Sequence, residues 1–88
     1  MTNNPYLTKI TVLRIIPINK GNIKAFATVQ LGDVLTIQSV KIVQQPGQAA
    51  YVRLPENERD GRYYPVVSAI DKRFQEAVQE KVLDAWQD

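Results

Sequence analysis

"IKAFATVQLGDVLTIQSVKIV", residues 23–43, decides how this chain folds. Its first nine residues alternate without a break. Ile23, Ala25, Ala27, Val29 and Leu31 share one face; Lys24, Phe26, Thr28 and Gln30 share the other. Successive strand side chains point to opposite sides, so this is the pattern of a half-buried antiparallel strand. Gly32-Asp33 then turns the chain. The following strand, 34–43, slips in phase: Leu35 and Ile37 are odd, Val40 and Ile42 even. A regular strand cannot hold both sets on one face, so a β-bulge near Gln38-Ser39 is expected to restore the register.

Upstream, "KITVLRIIPI" (9–18) is β-branched and rich in Ile, a strong strand signal. Simple alternation puts Ile10, Val12, Ile16 and Ile18 on one face and Leu13 and Ile15 on the other, so part of it is expected to be covered on both sides. Pro17 cannot donate to a ladder, which places it on an edge strand or near a strand end. "NKGN" (19–22) is a hairpin turn in which Gly21 supplies the positive φ. Residues 1–8 read as a flexible, polar lead.

Downstream, "QQPGQ" (44–48) is a loop and "AAYVRL" (49–54) a short fourth strand. "PENERDGR" (55–62) reads as a charged loop and "YYPVV" (63–67) as a fifth strand or extended edge piece. Glu56, Glu58 and Asp60 alternate in that loop without the spacing of a calcium-binding loop, so they read as solvated.

One helix closes the chain, from about residue 69 to 86. Ser68 and Asp71 have the form of a capping box. Ile70, Phe74, Val78, Val82 and Trp86 recur every four residues, with Ala77 and Ala85 beside them, and make one apolar stripe. Lys72, Glu76, Gln79, Glu80 and Gln87 fall on the outer face. The expected architecture is therefore α+β: one domain over residues 9–88, an antiparallel sheet of four to five strands with a single C-terminal helix packed on it. The helix is charged against its dipole. Lys72 and Arg73 stand in the first turn, where anions are favoured, and Glu80, Asp84 and Asp88 lie toward the negative end.

Composition narrows the chemistry. The 88 residues contain no His and no Cys. That removes imidazole bases, thiol nucleophiles and the usual zinc ligands, so no enzyme, metal, cofactor or small-molecule substrate is expected. No disulfide framework is possible. "MTNNPY" has neither a basic nor an apolar leader region, and no apolar run approaches a membrane span, so a cytoplasmic protein is expected. The net charge is +2, a balance that permits nucleic-acid binding without demanding it.

The order of the segments resembles the SpoVG family (stage V sporulation protein G). The carrying pieces are "ITVLRI" before an Asn-containing turn, "IKAFATVQL", "VKIV", "YVRLP" leading into a charged loop with Asp-Gly, and "FQEAVQEKVLDAW" as the closing helix. The resemblance runs from about Ile10 to the end of the helix. It implies a small bacterial cytosolic regulator that dimerises through its sheet and binds DNA and also RNA. It also implies nucleic-acid contact by the basic residues that start the helix, here Lys72 and Arg73. At that place the chain departs from the family: the lead into the helix is shorter, and Asp71 stands near a family Arg.

Lys72 and Arg73 are accordingly the first candidates for phosphate contact, since free N–H groups at a helix start plus two cations favour an anion. Their alternative is compensation by Asp71 and Glu76. Arg53, Arg59 and Arg62 are secondary candidates, with Tyr51, Tyr63 and Tyr64 close in sequence for stacking. Phe26 is expected to pack under the helix or against a dimer mate, with base stacking as the lesser alternative. Trp86 belongs to the core or a dimer interface. The rival function is a protein-interaction module without nucleic-acid contact.

Overall fold

In the computed structural model, which describes residues 4–87, the two decisive segments form the centre of the sheet. β1 (Ile10–Lys20), β2 (Ile23–Leu31), β3 (Leu35–Val43) and β4 (Tyr51–Arg53) lie side by side in chain order, every pair antiparallel. β2 is a regular inner strand, and Ala25, Ala27 and Val29 are buried on its inward face. The bulge in β3 is where the phase slip puts it. Ala27 pairs with Val40 and Val29 with Ile37, so β3 spends one more residue than β2 over the same span. Ser39 takes φ 62° there, and Ile37, Val40 and Ile42 all reach the core.

β1 departs from simple alternation. Val12 pairs with Val29 but Arg14 with Thr28, so Leu13 is the extra residue of a bulge. The bulge moves Ile15 onto the core face with Ile10 and Val12, and turns Ile16 and Ile18 outward. The expected facing of Ile15, Ile16 and Ile18 is thereby reversed, because one inserted residue flips every side chain beyond it. β1 is an edge strand and tolerates Pro17 for that reason.

The fifth strand does not join the sheet. β5 (Glu56–Arg59) and β6 (Arg62–Pro65) make a separate two-stranded ribbon, so the segment read as a charged loop is half of a hairpin. Asp60 and Gly61 both have positive φ, 55° and 77°. That is the backbone of a type I′ turn, which Asp-Gly favours and which matches the twist of the flanking strands.

The helix, α1 (Lys72–Gln87), packs on the inner face against β1, β2 and β4. Ala77, Val78 and Val82 are fully covered; Phe74, Leu83 and Trp86 pack around them. Four helix expectations need correction. The helix starts at Lys72, with Asp71 rather than Ser68 at its cap. Ile70 stands outside it at 104% exposure, although its spacing fits the apolar stripe. Ala85 is exposed. Gln79, assigned to the outer face, instead accepts a 3.2 Å hydrogen bond from the Val52 amide, and the Gln75 amide donates to the Val52 carbonyl. Two helix side chains thus cover backbone groups of β4 that no strand pairs, which blunts that edge.

Candidate nucleic-acid interface

At the helix start the first anion is the chain's own. Asp71 Oδ1 accepts the Arg73 backbone N–H at 2.9 Å, the bond an N-cap makes to the second helical residue. The same carboxylate receives the Arg73 guanidinium: Nη2 lies 2.7 Å from Oδ2, and Nε 3.2 Å from each oxygen. The Tyr6 hydroxyl donates to Oδ2 at 3.1 Å. The bonds from Arg73 hold the Asp71 carboxyl well below the usual carboxylate range, with Tyr6 adding to the effect. In return the carboxylate raises the Tyr6 hydroxyl.

Over residues 4–8 the lead is tied to this corner. The Asn4 amide donates to the Arg73 carbonyl at 2.7 Å, and the Tyr6 ring meets Phe74 edge-on at 5.5 Å. Residues 1–3 of the lead lie outside the described residues. Arg73 is therefore engaged, whereas Lys72, on the first helical position and exposed, makes no ion pair among the described residues. The Lys72–Glu76 pair weighed from the sequence does not form.

Arg53 enters a cluster that crosses two sheets. Its Nη2 sits 2.9 and 3.0 Å from the two oxygens of Glu56, and Lys41 Nζ lies 3.7 Å from Oε1. The Tyr63 ring is within 5.5 Å of the Arg53 guanidinium and 5.7 Å of the Lys41 ammonium. Cations over an aromatic face gain from its negative quadrupole. Tyr63 remains 52% exposed. Glu58, its cross-strand partner, is the main cause that raises its hydroxyl.

Arg59 and Arg62 face one another across the ribbon, on either side of the Asp60-Gly61 turn. Both are exposed, and neither makes an ion pair among the described residues. Like charges directly opposite on a ladder repel, and no carboxylate among the described residues pairs with them there. The fold thus brings Arg53, Arg59 and Arg62 onto or beside one ribbon, and leaves Lys72 and Arg73 at the helix start. Sequence reasoning passed over Lys41 and read Glu56 as solvated; the Glu56 side chain is instead largely covered and held between Arg53 and Lys41. The pairing of Lys41 with Arg53 is a β3–β4 register, and nothing local to either residue encodes it. Phe26 is not under the helix: it points to the outward face, where Ile16, Phe26, Lys41 and Arg53 are successive cross-strand neighbours.

Comparison with known proteins gives one family. The SpoVG family profile matches residues 8–88. A Bdellovibrio bacteriovorus protein named "Putative septation protein SpoVG" is 19% identical over 80 residues, which cover 90% of this chain and 73% of that protein. An Anaeromyxobacter protein of the same name is 22% identical over 76 residues, covering 85% and 77%. No solved structure matches the chain. No described helix is long and apolar enough to cross a membrane.

Proposed function

The chain belongs to the SpoVG family, and from that premise we propose that it is a cytoplasmic nucleic-acid-binding regulator acting as a homodimer. Its ligand is DNA and also RNA, held through phosphate contacts. The observation that carries this reading is the ribbon tip, where Arg59 and Arg62 stand exposed, without an ion pair among the described residues, beside the exposed Tyr63 and Tyr64. Lys72, which makes no ion pair among the described residues, adds a cation at a helix start. Arg73 contributes less, because a phosphate must displace Asp71 from it. Dimerisation through the sheet uses the open edge of β1, which pairs only with β2 among the described residues. Two weak sites on one dimer then bind with avidity.

The second reading, a protein-interaction module, is favoured by a different observation: Val34, Val66 and Ile70 are exposed near the start of β3 and in the lead to α1. Salt separates the two. Phosphate contacts make affinity fall between about 50 and 200 mM salt, with a log–log slope near −0.9 per contact on duplex DNA. Fluorescence anisotropy on labelled duplex and single strands tests the first reading. Arg59→Ala/Arg62→Ala is expected to weaken binding and flatten the slope by about two on duplex DNA. Wild-type protein that binds no nucleic acid at about 50 mM salt refutes the regulator reading in favour of the module.

A further inference from the structure

The sheet's outward face holds a groove that none of the candidates above occupies. It encloses about 530 Å³ over β2, between the Leu13 bulge of β1 and the Gln38-Ser39 bulge of β3. Bulges bend and twist the strands that carry them, and these two flank the same stretch of β2 from opposite sides. Phe26 lines the groove with Leu13, Ile16, Thr28, Thr36 and Gln38, and Arg14 stands at it, exposed. The helix covers only the other face.

We propose that this groove binds single-stranded nucleic acid, with a base stacked on the Phe26 ring and a backbone phosphate on Arg14. The proposal rests on the nucleic-acid reading and names the strand class and a site for it. Charge selects a polyanion. The four sheet strands carry Arg14, Lys20, Lys24, Lys41 and Arg53 and not one Asp or Glu. The helix, by contrast, balances Lys72, Arg73 and Lys81 against Glu76, Glu80 and Asp84. Lys41 and Arg53 share Glu56 from the ribbon, but Arg14, Lys20 and Lys24 make no ion pair among the described residues, so the near-neutral net charge of the chain conceals a basic sheet.

The lining selects a nucleobase. A base offers a π-face to Phe26 and donors and acceptors around its rim for the Thr28 and Thr36 hydroxyls and the Gln38 amide. In a duplex those faces are stacked inside and cannot reach the floor of the groove. A second copy of this chain fits poorly. A two-fold contact here would set the cations of the sheet against themselves and bury those hydroxyls and amides without sure partners.

The test is anisotropy of a labelled oligothymidylate of about 12 nucleotides and of a duplex of the same length, across about 50–200 mM salt. The variants are Phe26→Leu, Phe26→Tyr and Arg14→Gln, with circular dichroism and sedimentation on each. Phe26→Leu keeps apolar volume and loses the ring. It is expected to weaken single-strand binding by about 5- to 150-fold, with Phe26→Tyr close to wild type. Arg14→Gln is expected to flatten the single-strand salt slope by about 0.7. If the oligothymidylate binds but neither Phe26→Leu nor Arg14→Gln changes it, the groove is overturned and the nucleic-acid reading stands. A preference for duplex overturns the groove as well. Phe26→Leu that dissociates a dimer while single-strand affinity holds assigns the face to a second copy. No binding of either probe by wild type removes both proposals.

Discussion

Removing Ser39 tests the bulge on which the inner face of the sheet depends. Ile37 is 7% exposed, and Val40 and Ile42 are fully buried, only because one extra residue lies between the two sets. In the deletion variant one set must turn outward. Expelling Val40 and Ile42 forfeits two fully buried side chains. Expelling Ile37 forfeits one, and the nearby 31–35 turn can absorb the shift, so the second route is cheaper. Burial of one such side chain is worth about 1.5–3 kcal/mol. At about 2.1 cal/mol/K per residue of unfolding entropy, 1 kcal/mol moves the midpoint of a chain this size by about 5 °C. The deletion is therefore expected to lower Tm by about 8–15 °C.

Ser39→Gly keeps the bulge and relieves a left-handed backbone that costs a non-glycine residue about 1–2 kcal/mol. The added freedom of the unfolded chain takes back about 0.5–1 kcal/mol. That variant should match or slightly exceed wild type. Melts by circular dichroism, with urea unfolding for the m-value, measure both. Ile37→Ala placed on the deletion background shows which set left the core: it should cost little there and its full amount in wild type. A deletion with wild-type Tm, or Ser39→Gly as damaging as the deletion, refutes the bulge argument.

Four further outcomes are expected. Asp71→Asn preserves a good cap and releases Arg73, so single-strand binding at low salt should tighten while helicity holds; unchanged affinity would show that Arg73 takes no part. The same variant should flatten acid unfolding. The folded Asp71 carboxyl sits below its ordinary 3.8, so the unfolded chain binds more protons there. Its stabilisation is full above about pH 4 and is lost as pH falls through the folded value, which urea midpoints on either side of pH 4 would reveal. Glu56→Gln leaves Arg53 and Lys41 without their shared carboxylate; stability should fall by about 1–2 kcal/mol and the duplex salt slope should steepen by about one. Finally, Ile70→Ser should be neutral within about 0.5 kcal/mol, whereas Val82→Ala should cost about 1–3 kcal/mol; equal losses in thermal melts would return Ile70 to the core.

Much of the fold is legible because it is locally encoded. The alternation of residues 23–31, the phase slip at 38–39 and the Asp-Gly turn each state a backbone geometry in consecutive residues. Where two local signals compete, sequence reading picks wrongly. Ile70 fits the four-residue spacing, yet Asp71 is an equally good cap and has Asn4 and Tyr6 to anchor the corner, so the helix starts after it. In β1, the bulge at Leu13 answers to the pairing with β2, and no phase slip in the strand itself announces it.

By itself, then, the sequence determined the order of β1 to β4 and the closing helix, the α+β class, the inner face of β2 and the place of the β3 bulge, since these follow from side-chain period and turn chemistry. The tertiary structure alone decided that Arg73 is neutralised by Asp71, that Arg53 shares Glu56 with Lys41 beneath Tyr63, and that Phe26 faces an outward groove beside Arg14. Those relations join residues on different strands and loops, and their Coulomb and packing energies depend on distances that only the folded chain sets.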